Sequence, residues 1–137
     1  MKYTKFIVFS LLFVLLGACN KYEEGSNFSL LSAKNRLVNN WKLTKYEVGG
    51  VNQPINNNTG LEMDFYNDNT FKRTWVIGGW QVPENGDWAF VDGKRKITLK
   101  KSDGTLELYT IVQLKSKDFK AKRVDEGVEY VYTFEGK

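Results

Sequence analysis

The chain has 137 residues, of which 42% are hydrophobic, 15% aromatic with four Trp, and 26% charged. That is one domain's worth of sequence, with enough bulky apolar surface for a single core. Histidine is absent and there is one cysteine, which excludes intrachain disulfides, Ser-His and Cys-His pairs and most zinc sites. The formal charge is +4, and no cofactor is expected.

Residues 1–18 begin with Lys2 and Lys5 and no acid, then run apolar over 6–16 apart from Ser10. This is the layout of an export signal. Counted on to Ala18, the apolar run is about a dozen residues, short of the ~20 that a permanent spanning helix needs. Leu16-Gly17-Ala18-Cys19 resembles a bacterial lipobox, in which the Cys19 thiol carries a diacylglycerol thioether and becomes the mature N-terminus. Several acyl chains exceed the two-chain threshold for stable anchoring, so the expectation is an exported protein held on the bacterial outer membrane by its lipid. Without Lys2 and Lys5 the 20 basic residues fall to 18 against 16 acidic, formally +2. No basic stripe with interleaved aromatics stands out, and no nucleic-acid partner is expected.

Residues 19–27 are polar after the cysteine and read as a flexible tether. Within them Lys21, Glu23 and Glu24 resemble the lysine-plus-acidic export signals of Bacteroidota surface lipoproteins, which would place the domain outside the cell. The domain itself is expected over 28–137. Over 28–38, Leu30, Leu31, Lys34, Leu37 and Val38 fall at helical spacing. Ser29 is available as N-cap and Asn39-Asn40 as a stop. A short helix here is expected to cover an open end of a sheet or barrel.

From Trp41 onward, short aromatic and β-branched runs recur between turn residues. The runs are 41–48, 61–66, 70–77, 87–91, 95–100, 105–114, 119–124 and 128–134. The pattern predicts an all-β domain: an eight-stranded antiparallel up-and-down barrel, with a two-sheet sandwich as the alternative. Period-2 alternation assigns faces. Leu61, Met63 and Phe65 share one side, as do Phe71, Trp75 and Ile77, Trp88 with Phe90, Ile97 with Leu99, Leu106 with Leu108, and Tyr130 with Tyr132 and Phe134.

Asn39-Asn40-Trp41-Lys42-Leu43-Thr44-Lys45-Tyr46, then Leu61-Glu62-Met63-Asp64-Phe65 and Asp68-Asn69-Thr70-Phe71, resemble the lipocalin-like domain family of Bacteroidota lipoproteins. The later Tyr109-Thr110-Ile111-Val112-Gln113-Leu114 fits the penultimate strands of that family. The resemblance covers about 37–134 and implies a calycin-type barrel without specifying a ligand. Classical lipocalins have Gly two residues before the first-strand Trp, which packs at the closed end against a late Arg. Here Asn39 stands at the Gly position, Trp41 matches the Trp, and Arg123 is the candidate partner.

Two stretches, 49–60 and 78–86, hold both prolines and are rich in Gly and Asn. They read as long loops at one rim, where a ligand entrance is expected. Trp80 is either an exposed residue at that mouth or a plug folded into it. Phe65, Phe71, Trp75, Trp88, Phe90 and Tyr132 either line an apolar pocket or fill the barrel. Arg73 shares their face and needs a partner if buried; it anchors a ligand carboxylate or reaches solvent at the rim. Glu62 with Asp64, and Asp87, are the acids that catalysis would use, but the first two alternate with apolar residues as a solvated outer face does. No phosphate loop, metal cluster or activated nucleophile is present in the sequence, and no enzyme activity is expected. The sequence thus points to a non-enzymatic barrel that binds a small, mainly apolar ligand at its mouth. The alternative is a solid barrel that contacts an envelope protein or a glycan.

Overall fold

A computed structural model describes residues 22–23 and 30–137; the expected leader and Cys19 lie outside them. A short helix, α1 (Ala33–Leu37), precedes nine antiparallel strands: β1 (Asn40–Val48), β2 (Val51–Gln53), β3 (Thr59–Phe65), β4 (Thr70–Ile77), β5 (Trp80–Val91), β6 (Lys96–Lys101), β7 (Leu106–Leu114), β8 (Asp118–Asp125) and β9 (Val128–Gly136). β1 and β3 to β9 pair with their neighbours in order, and β9 returns to β1 from Trp41↔Gly136 to Val48↔Tyr130. That closure makes an eight-stranded barrel and rules out the two-sheet sandwich. β2 is an annex, paired only with the last three residues of β1.

One end of the barrel is closed by α1. Ser32, rather than the expected Ser29, is the N-cap and accepts a hydrogen bond from the Asn35 N–H at 3.1 Å. The helix is one short turn instead of eleven residues, and Leu30 and Leu31 stay exposed before it. Leu37 and Ala33 bury against the barrel, while Arg36 donates through Nη1 to the Leu114 carbonyl at 2.7 Å. Lys34 donates to Asn69 in the β3–β4 turn at 2.7 Å. Trp41 is fully buried beneath the helix; its indole N–H donates to the Leu37 carbonyl at 2.8 Å, and its ring lies 5.4 Å from that of Phe119. Arg123 is not its partner: it sits at the opposite end, over the rings of Tyr109 and Tyr130. The close approach expected of a Gly before Trp41 is supplied instead by Gly136 on β9. A Cβ there would lie 2.5 Å from Asn39 Nδ2 and 3.0 Å from the Trp41 ring.

The two expected long loops are largely strand. Gly49 with Gly50 (φ 56° and 81°) and Gly78 with Gly79 (φ 59° and 82°) make two-residue turns with both φ positive, the form that matches strand twist and that Gly adopts without penalty. The first turn folds β2 back on β1. The second turns β4 into β5, which begins at Trp80 instead of Asp87. Residues 80–85 pair only with β4, whereas β6 joins from Gly86 onward. The β3–β4–β5 side therefore rises above the β6 side as a tall wall at the open end. Gly86 stands where β5 passes from one neighbour to two, and a Cβ there would meet the Lys100 carbonyl oxygen at 2.0 Å.

A bulge between Leu43 and Lys45 in β1 changes which parity faces inward, so that Trp41 and Leu43 are followed by Tyr46. The other faces follow the alternation except in β7. There Glu107 and Tyr109 point inward, and Leu106 and Leu108 share one side as expected, but it is the exposed outer one.

Candidate functional site

The barrel interior is divided along its axis. Towards α1 it is aromatic and aliphatic: Phe65, Trp88 and Phe119 meet edge to face, and Phe119 stacks on Phe134 at 5.4 Å. Phe90 contacts Trp88 edge-on at 5.3 Å, and Phe71 is fully buried. The void between Leu61, Met63, Leu99 and Phe119 measures about 10 Å³. A pocket for a small molecule needs roughly 300 Å³ or more. Phe65, Phe71, Trp88 and Phe90, proposed from sequence as pocket lining or filler, fill the barrel. Tyr132 completes the filling from β9, stacked on Tyr46 at 5.0 Å and edge-on to Tyr109 at 5.8 Å. Its phenol is pushed above its usual value by burial.

Above this layer lies a cluster of charges. Arg73, buried on β4, donates through Nε to Glu84 on β5 at 2.7 Å. It also donates through Nη1 and Nη2 to both oxygens of Glu107 on β7, at 2.7 and 3.0 Å. The Tyr109 hydroxyl accepts from Arg73 at 3.0 Å and donates to Glu107 at 2.8 Å. Lys101 reaches Glu84 at 3.4 Å and Glu107 at 3.7 Å, and Arg123 reaches Glu107 at 3.5 Å. A buried guanidinium requires this sort of pairing, and two carboxylates in fork geometry provide it. Nε, Nη1 and Nη2 of Arg73 are thus all committed within the protein rather than to a ligand carboxylate.

The same contacts set the protonation states. Burial opposes charge on Glu107, but hydrogen bonding and attraction to Arg73, aided by Tyr109 and Arg123, hold its carboxyl down to about 2. Burial likewise works against the Arg73 cation, and the Glu107 hydrogen bond outweighs it, so the guanidinium is held more firmly charged than usual. Burial pushes the Tyr109 phenol up, beyond any physiological titration.

Over the cluster stands the inner side of the tall wall. Trp75 lies beside Arg73, 5.5 Å from its guanidinium, and its indole N–H donates to Glu84 at 3.1 Å. Trp75 pairs with Val82, and Ile77 with Trp80. By alternation these four share the face of Arg73, yet they stand above the level that opposing strands reach. Trp80 is 79% and Ile77 58% exposed. Trp80 is therefore an exposed residue of the mouth and not a plug. Ile55 packs partly against the core, while Val51 stays exposed on β2.

Glu62 and Asp64 lie on the outer face of β3, where Asp64 accepts from the Asn40 side chain and Glu62 is 3.9 Å from Lys137. Asp87 is exposed on the outside of β5. Among the described residues, no group of three or more His, Cys, Asp or Glu is placed to hold a metal ion. Glu84, Lys101, Glu107 and Tyr109 were not among the site residues expected from the sequence. Their signal was Arg73 itself, a charge on an apolar face that obliges carboxylates to stand opposite.

A closed eight-stranded antiparallel barrel capped by one short helix is the architecture of a lipocalin-like protein. The sequence profile of the lipocalin-like domain matches residues 37–121, more than half of the chain, and the protein belongs to that family. The family's barrel suggests small-ligand binding in general, and its members are generally non-enzymatic. No curated protein matches the chain.

Proposed function

We propose that the protein is a non-enzymatic, lipid-anchored binding protein of the cell envelope that takes a small, mainly apolar ligand at its mouth, on top of a filled barrel. The observation that carries the reading is the apolar wall at the open end, where Ile77, Trp80 and Val82 are exposed on the axis side above the half-buried Trp75 and a charged floor. Exposed large apolar side chains gathered on one concave side are the usual mark of a binding surface. A ligand lying along the wall covers the indoles and leaves its polar end towards Lys101 and Arg123. Anchoring on the outer membrane rests on the leader and on Cys19, and display at the cell surface on the likeness of Lys21, Glu23 and Glu24 to a surface-export signal. Cys19→Ser should leave a precursor that no longer incorporates labelled fatty acid, and normal labelling of that variant ends this part of the reading.

Binding is tested by titrating the purified protein with a dansyl-labelled fatty acid. The double variant Ile77→Ser, Trp80→Ala should bind about tenfold more weakly, the effect of uncovering one or two large apolar side chains. Equal affinity for variant and wild type would overturn the mouth site. The filled interior favours a second reading, in which the same rim contacts an envelope protein or a glycan. Absence of any binding of the apolar probe, with loss of a partner contact in the double variant, decides for it.

A further inference from the structure

The outer face of β7 carries a feature that the mouth does not use. Leu106 (65% exposed), Leu108 (48%) and Val124 (65%) stand on the outside of adjacent strands β7 and β8. Strand pairing puts Leu106 beside Lys100, Leu108 beside Thr98, and Thr110 between Lys96 and Lys122. Continuing the β7–β8 register brings Val124 level with Leu108. Three aliphatic side chains are thus bordered by Lys96, Lys100 and Lys122, of which Lys96 also meets Asp92 at 3.4 Å and Lys122 meets Glu23 at 3.0 Å.

The second contact ties this face to the N-terminus. Glu23 is pinned to Lys122 on the outside of β8, and Tyr22 beside it is 4% exposed, with Arg36 over its ring at 6.0 Å. Two residues of the segment expected to be a flexible tether are therefore docked on the barrel. Only Asn20 and Lys21 separate Tyr22 from Cys19, a reach of about 10 Å even when fully extended.

From this geometry we propose that the outer face of β6, β7 and β8, centred on Leu106, Leu108 and Val124, lies against the lipid bilayer. The inference rests on the reading of Cys19 as the lipid-bearing residue. A lipid held within that reach of Tyr22 brings this side of the barrel to the membrane. Aliphatic side chains ringed by lysine ammonium groups suit an interface with anionic headgroups. The barrel then lies on its side, with its mouth opening along the membrane plane.

The test uses the lipidated protein reconstituted into vesicles of phosphatidylethanolamine with phosphatidylglycerol. Lipidation consumes the one native thiol, so a cysteine introduced at Leu108, Val124 or Lys72 takes a fluorophore selectively; Lys72 is exposed on β4, across the barrel. Spin-labelled acyl chains should quench the fluorophore at Leu108→Cys and Val124→Cys several-fold more than at Lys72→Cys. Equal quenching at the three positions, in protein that does carry labelled fatty acid, would overturn the docked face while leaving the anchor standing. Protein without fatty acid overturns the anchor and the face with it. A further variant, Leu106→Asp with Leu108→Asp, should lower quenching at Val124→Cys towards the level at Lys72→Cys; unchanged quenching counts against the patch.

Discussion

The closed end and the open end of this barrel are held together by different physics. At the closed end, Trp41, Phe65, Phe71, Trp88 and Phe119 bury apolar surface and interlock as rings, an interaction that salt and acid barely touch. At the open end, Arg73, Glu84, Lys101, Glu107 and Arg123 occupy the corresponding interior positions, and their attraction must exceed the cost of leaving water. The two ends teach that the interior of a small barrel need not be uniformly apolar. Below, packing decides the fold. Above, an ionic lattice spans β4 to β8 and gives the mouth a rigid floor without a cavity beneath it.

The comparison is broken most strongly from below. Phe71→Ala should lose about 3–5 kcal/mol, the usual cost of emptying a large aromatic site, equally at pH 7 and pH 4 in urea titrations. Glu107→Gln should cost about 3 kcal/mol at neutral pH, because it leaves the Arg73 cation without its bidentate partner. Glu107 is held below its unfolded value of 4.5, down to about 2. Its charge therefore stabilises the fold fully above pH 4.5 and ceases to do so as pH falls towards 2. The gap between wild type and Glu107→Gln should close over that window, and a gap that persists at pH 2 contradicts the ionic account. Replacing the pair together, Arg73→Met with Glu107→Leu, should cost less than either single removal, as apolar substitutes for buried ion pairs do; thermal melts of the three variants measure this. Gly136→Ala, crowding Asn39 and Trp41 at the closed end, should lose about 1–3 kcal/mol, the range for overpacking. Smallest of all, Trp80→Ala should leave stability within about 0.5 kcal/mol, as exposed substitutions do, since its side chain stands in solvent above both the packed and the ionic layers.

Much of the closed end was legible in the sequence. Leu61, Met63 and Phe65, or Ile97 and Leu99, alternate cleanly because a strand with one buried face leaves no other arrangement. The open end was harder to read, since polar residues that face inward look like solvated ones. Leu106 and Leu108 outrank Glu107 in hydropathy, yet Arg73 on β4 draws Glu107 inward and so turns the two leucines out. Glu84 was hidden inside a stretch read as a loop. There the signal was present: each Gly-Gly pair fits a two-residue hairpin turn, but the prolines and asparagines around them suggested irregular chain. The β1 bulge and the close approach at Gly86 depend on register between distant strands, which no local pattern carries.

The raised part of β5 ends the β3–β4–β5 wall as an unpaired strand edge, and that edge contains Pro83. A bare edge ordinarily offers its backbone donors to any extended chain that drifts past, and so templates fibres and sheet-swapped dimers. Proline has no N–H to offer, and a partner strand cannot zip past it in continuous register. Copies of the chain brought side by side can therefore keep this apolar wall uncovered without stitching themselves into an intermolecular sheet.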